Sequence, residues 1–111
     1  MFKQLTPSLD EFKEFRWFFT SHGTLVIGGK NDNQNELVLK KFLHNNFTVL
    51  HTTNPGSGFM IIQKDNPSKE DIKESAIFCA SFSQQWKKLK NKKEMINVDI
   101  FKREQMYKTG L

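Results

Sequence analysis

Three groups of residues in this sequence carry chemistry that can be argued from type and spacing. The run LVIGGK, residues 25–30, passes from an apolar stretch through adjacent glycines to a lysine, and a polar segment with the character of a helix start follows. Such a turn permits positive φ and can aim backbone N–H groups at an anion. It lacks both the four-residue spacing before Gly-Lys-Ser/Thr of a phosphate-binding loop and the three spaced glycines of a dinucleotide fingerprint. On its own it is a tight strand-to-helix connection. The second group is His51, at the end of an apolar run beside Thr52, Thr53 and Ser57. A nucleophilic triad needs an orienting carboxylate and an oxyanion site. The nearest acids in sequence, Glu36 and Asp65, suggest neither, so His51 is favoured as a hydrogen-bonded structural or ligand-contacting histidine over a catalyst. His22, His44 and His51 have no metal-ligand spacing, and no metal or cofactor is implied.

The third group is electrostatic. Residues 1–85 hold nine Lys+Arg and nine Asp+Glu, whereas residues 86–111 hold eight and three, so the whole net charge of +5 belongs to the last quarter. Lys87, Lys88, Lys90, Lys92 and Lys93 form its centre. A helix end favours cations by a few tenths of a kcal/mol each, but the clustering exceeds that role. Joined by Arg16, Lys30, Lys40, Lys41, Lys102, Arg103 and Lys108, these lysines would make an electropositive surface for a polyanion. The plain alternative is a solvated face that keeps a small domain soluble.

The elements that must position these groups follow from periodicity. With 111 residues the chain suits one domain, residues 1–111, with one modest core rich in its 11 Phe. Its apolar runs are too short for a membrane span, no leader is indicated, and the lone Cys79, within IFCASF, reads as a small buried hydrophobe in a reducing, cytoplasmic setting. Ser8 and Glu11 propose a capping box for a brief helix over 8–14. RWFFTS and TLVIGG, joined by SHGT, predict a hairpin in which Arg16 and Phe18 take one face and Trp17 and Phe19 the other. Trp17 is expected to pack against a helix, with base stacking as its other use. Asn31 or Asp32 caps a helix through Leu43. FTVLHT and FMIIQK are strands around the TNPGSG loop, and Ser68 with Asp71 opens the longest helix, running to about Lys88. Its stripe of Ile72, Ala76, Cys79, Ala80 and Ser83 allows close approach to a sheet, with Phe78, Phe82 and Trp86 widening the buried surface. MINVDIF is the last strand. The fold class is therefore α+β: four or five mainly antiparallel strands, the long helix on one face, and a shorter helix.

Taken in order, FRWF at 15–18, G-x-L-V-I-G-G-K-N at 23–31, N-E-L-V-x-K-K at 35–41, the strand ending at His51, PGSGFMII at 55–62 and the small-faced helix with Trp86 resemble the NFACT-R domain. That is the RNA-binding module of NFACT proteins of ribosome-associated quality control, found also as a standalone protein. The resemblance extends through Val98 to Leu111. It implies a basic, non-catalytic RNA-binding domain acting in translation, with tRNA or ribosomal RNA, and through it the large ribosomal subunit, as partners. It makes the Gly-Gly-Lys element a turn first and, through Lys30, a phosphate contact second. Phe47 stands where the family commonly has an acid, Gly58 where it has a small or prolyl residue, and the family tends to continue past Leu111 into a further glycine-containing strand, so either the sheet is one strand short or the sequence is incomplete. The N-terminal domain, helix-hairpin-helix and coiled coil of the large NFACT proteins have no counterpart within these 111 residues, so RNA binding is the expectation carried over and tail synthesis is not. The rival readings are an adaptor that docks on a ribosomal protein or tRNA-modifying enzyme, and an enzyme centred on His51.

Replacing Lys87, Lys88, Lys90, Lys92 and Lys93 together by Gln is expected to leave the fold intact, since exposed substitutions change stability by about 0.5 kcal/mol or less each. RNA affinity should fall, and the slope of log affinity against log salt should flatten by roughly 0.7 to 0.9 for each phosphate that is no longer neutralised. Filter binding across a salt series, with an unchanged slope as the contrary result, checks this.

Overall fold

The computed structural model describes residues 7–44, 46–52, 58–81 and 98–102. In chain order they form α1 (Leu9–Phe12), β1 (Arg16–Phe19), β2 (Leu25–Gly28), α2 (Asp32–Phe42), β3 (Thr48–Thr52), β4 (Met60–Ile62), α3 (Lys69–Ser81) and β5 (Val98–Lys102). The five strands make one sheet in the order β1-β2-β4-β3-β5, and every pairing is antiparallel. The α+β class with an antiparallel sheet is as the sequence predicts. The continuation of α3 toward Lys88, with Phe82, Ser83 and Trp86, falls outside the described residues, as do most of the TNPGSG loop and the chain after Lys102.

Alternation along the strands sorts the core into two layers. Leu25 and Ile27 of β2, Val49 of β3 and Ile61 of β4 point to one face, where Phe12, Phe15, Val38, Phe42 and Phe47 cover them. Val26, Leu50, Met60 and Ile62 point to the other and meet Cys79 of α3, with Phe18, Ile72, Ala76, Phe78 and Val98 around them. Because both faces are buried, β2 and β4 read as unbroken apolar runs rather than as alternation. Cys79 is fully buried, in keeping with its expected role as a small hydrophobe. Among the described residues no helix is long and apolar enough to cross a membrane, and no group of three or more metal-ligating side chains is assembled.

The expected caps form. Ser8 and Glu11 close the box of α1, with the Ser8 N–H donating to Glu11 Oε2 at 2.7 Å. Asn31, rather than Asp32, caps α2, its Oδ1 accepting from the Gln34 N–H at 2.9 Å. At α3 the Asp71 N–H donates to Ser68 Oγ at 3.0 Å. Asp71 has a second use that its local spacing does not reveal. Fully buried, it accepts from Thr20 Oγ1 at 2.6 Å and Thr24 Oγ1 at 3.0 Å, across the turn joining β1 to β2. One helical turn on, Glu74 accepts from the Ser21 N–H at 2.9 Å and from Ser21 Oγ at 2.6 Å. The turn is thus latched to the first two turns of α3 by two carboxylates. Gly23 takes its sharpest bend at φ +78°, where a side chain would be strained.

Burial raises the Asp71 carboxyl, but the hydrogen bonds from Thr20, Thr24 and Ser68 outweigh it and hold the group below its ordinary value. Between that lowered value and the unfolded aspartate's, about 3.9, the unfolded chain binds the extra proton. The stability from this latch is therefore complete above about pH 4 and lost as pH falls through the folded value. Asp71→Ala should cost at least about 2 kcal/mol by stranding the buried Thr20 and Thr24 hydroxyls, and should flatten the acid limb of a stability-against-pH curve measured by denaturant titration. Ser75, one turn beyond Asp71, is equally buried and its Oγ has no hydrogen-bond partner among the described residues. Ser75→Ala should be neutral or stabilising by up to about 1 kcal/mol.

Candidate nucleic-acid interface

The end of the sheet reached by Gly28 is built around two glycines that face each other. Gly29 follows β2 and donates its N–H to the Phe59 carbonyl at 3.1 Å. A Cβ on Gly29 would strike Asn35 Oδ1 and lie 2.7 Å from the Asn35 N, while a Cβ on Gly58 would strike the Gly29 carbonyl. Neither Gly28 nor Gly29 has the positive φ that the sequence leads us to expect of this turn. Gly29 and Gly58 are glycines because α2 and two strand ends come together there. Asn35 closes the junction, its Oδ1 accepting from the Phe59 N–H at 3.2 Å.

This junction also settles what the backbone of the Gly-Gly-Lys turn does. The Lys30 N–H donates to Gln34 Oε1 at 2.9 Å, the Gln34 N–H is taken by Asn31, and Gln34 Nε2 reaches the Glu14 carbonyl at 3.0 Å. Asp32 places a carboxylate in the first turn of α2. The amides of a P-loop-like anion cradle are thus partly engaged, and the helix start carries its own negative charge. What remains for a phosphate is the exposed Lys30 side chain.

Register brings His51 to this junction. Met60 pairs with Gly28 on one side and Leu50 on the other, so one step further Phe59 lies between Gly29 and His51. The Phe59 and His51 rings are 4.8 Å apart with planes at 34°. That separation matches the spacing of adjacent strands, so the rings pile along the row. His51 is paired across to Asp99 of β5. The row therefore reads Gly29, Phe59, His51, Asp99, with Lys30 beside its first member. On this face His51 is half-buried and Asp99 exposed, while the principal helix contacts of β3 and β5 are with α3 on the opposite face.

The remaining expected site residues divide. Arg16 pairs with Gly28 at this same end but on the α3 face. Partial burial lowers its pKa, the nearby Cys79 pulls the other way, and the guanidinium stays charged. Lys40 and Lys41 sit exposed in the last turn of α2, which the Gln63 Nε2 to Phe42 carbonyl bond of 3.1 Å ties to the far end of β4. Lys102 lies at that far end too, opposite Thr48, with its Nζ 3.5 Å from Asn66 Oδ1. An 11-residue α2 separates Lys30 from Lys41 by roughly 16 Å. Lys87, Lys88, Lys90, Lys92, Lys93, Arg103 and Lys108 lie outside the described residues. Sequence reasoning missed Asp99, whose partnership with His51 is visible only in the β3-β5 register, and Lys64, exposed just beyond β4. Trp17 divides its two expected uses: it meets Phe12 edge-on at 5.3 Å and is still 39% exposed.

A family model described as the NFACT protein RNA binding domain matches residues 14–111. The chain is 35% identical over 80 residues to the ribosome quality control complex subunit NEMF homolog of Drosophila melanogaster, covering 68% of this chain and 8% of that protein. It is 32% identical over 89 residues to the archaeal Rqc2 homolog aRqcH of Methanocaldococcus jannaschii, covering 78% of this chain and 13% of that protein. It thus spans only a small part of the curated relatives it matches. In fold it is similar to the C-terminal part of the fibronectin/fibrinogen-binding protein of Streptococcus suis, with a TM-score of 0.69 at 21% identity, covering 81% of this chain and 35% of that one.

Gly29→Val and Gly58→Ala should each destabilise by about 1 to 3 kcal/mol or more, through overpacking of a backbone junction. Lys30→Gln, one residue away, should stay within about 0.5 kcal/mol of the parent. Urea denaturation of the three variants tests the junction, and a harmless Gly29→Val contradicts it.

Proposed function

The chain belongs to the NFACT protein RNA-binding domain family, and we propose that it binds structured RNA, tRNA or ribosomal RNA, without catalysis, in ribosome-associated quality control. The observation that carries this reading is the match over residues 14–111. The meeting of Lys30, Phe59 and His51 at one sheet end supports it. Phosphate contacts by lysines supply affinity and fix register on a duplex without reading sequence. Lys30 serves at the Gly-Gly end, Lys40, Lys41, Lys64 and Lys102 at the other, and the C-terminal lysines add to the total charge. His51 contacts RNA rather than activating a nucleophile. The relatives carry names of ribosome quality control subunits, which supports the ribosome as the setting.

RNA should co-purify with the chain from cell extract and disappear on nuclease treatment. A ribosomal protein retained after nuclease would favour adaptor docking instead. With tRNA and a ribosomal RNA fragment as ligands, Lys30→Gln should weaken both by a similar factor and lower the salt slope by roughly 0.7 to 0.9. Affinity that does not vary with salt would sink the phosphate-based reading.

A further inference from the structure

The row Phe59, His51, Asp99 offers chemistry that phosphate binding does not use. Phe59 covers one face of the half-buried His51 ring, and the other face is a stacking surface of the kind that holds unpaired bases. At the next strand position stands an exposed carboxylate. An ionised carboxylate only accepts hydrogen bonds, and its roughly four lone-pair sites let it serve more than one donor. In an RNA site such an acceptor selects base edges that donate. Lys30 lies at the opposite end of the row, beyond Gly29 and Phe59. Two strand spacings separate Gly29 from His51, roughly 10 Å, a distance that the long lysine side chain can shorten toward a backbone phosphate beside the stacked base.

We propose that His51, backed on one ring face by Phe59, stacks one unpaired nucleobase on its other face and that Asp99 selects it, accepting from the amino group of cytosine, adenine or guanine and disfavouring uracil. Cytosine presents an N4 amino donor that suits a carboxylate. Uracil offers a single imino donor flanked by two carbonyl acceptors, which face the carboxylate with like charge. This rests on the RNA-binding reading and adds base preference to it: the lysines position the strand, and the row reads one base. His51 is the stacking residue and Asp99 the specificity residue.

The test uses the full chain and fluorescein-labelled C6, A6 and U6 oligoribonucleotides, followed by anisotropy, with a folded tRNA as a control. The parent should bind C6 and A6 roughly 5- to 100-fold more tightly than U6, the range a good base contact supplies. Asp99→Asn, isosteric and exposed, places a donor beside the acceptor and should close that gap or tip it toward U6. His51→Ala should weaken all three oligomers, and His51→Phe should restore them, since stacking needs a ring rather than an imidazole. Thermal melts confirm that the variants fold. An unchanged base ranking in Asp99→Asn, equal binding of the three oligomers by the parent, or a His51→Phe variant as weak as His51→Ala would overturn the base site. Binding of tRNA but of none of the hexamers would overturn it while leaving the RNA-binding reading in place. Failure to bind either would remove both.

Discussion

Everything at the candidate interface depends on the close approach of two backbones, Gly29 against Gly58, with Asn35 wedged over them. No side chain heavier than hydrogen fits at either glycine, so the contact fixes three things together. It sets where β2 ends, where α2 begins, and how the chain enters β4. Since β4 lies between β2 and β3, its position fixes the step of β3 that faces Phe59, and that step is His51. The lysine turn and the histidine, 21 residues apart, become neighbours through a steric constraint rather than through a direct contact.

The opposite end of the sheet is held by a different kind of force. There Asp71 and Glu74 grip the β1-β2 turn through hydroxyl and amide donors. A buried carboxylate is costly unless its oxygens are satisfied, and Asp71 meets this condition with two threonine hydroxyls and Ser68. The latch orients α3 across the second core layer, so that Cys79 arrives beside Gly58, its Sγ 3.9 Å from that carbonyl. The two ends thus cooperate: the carboxylates set the angle of α3, and α3 in turn backs the glycine junction from the other face. Basic side chains occur at both ends, and a polyanion that engages Lys30 together with Lys41 or Lys64 must span the length of α2.

Much of the fold was legible because its signals are local. Ser8 with Glu11, Asn31 or Asp32 as a cap, and Ser68 with Asp71 mark helix starts within a few residues, and the hairpin is announced by SHGT between two β-prone runs. Cys79 was read correctly from its apolar neighbours. What the sequence concealed depends on register or on distance along the chain. Asp71 has the spacing of a cap, and nothing near it names Thr20 or Thr24, some 50 residues earlier, as its partners. Gly29 was expected to supply positive φ, a local property, whereas its role is to leave space for α2, a tertiary one. Asp99 was counted only as charge, because its place beside His51 requires the β3-β5 pairing. For the candidate site, the individual residues Lys30 and His51 were visible, but their shared row was not, and the single basic surface imagined from composition resolves, among the described residues, into two ends.

Ultraviolet crosslinking of the full chain to bound RNA, with the attachment sites located by mass spectrometry, tests the central claim most directly. If the Gly-Gly end of the sheet is the RNA-contacting surface, nucleotide adducts should fall on Phe59 and His51 and on the peptide containing Lys30. Adducts confined to the far end, around Lys40, Lys41, Lys64 and Lys102, with none on His51 or Phe59, would contradict the account.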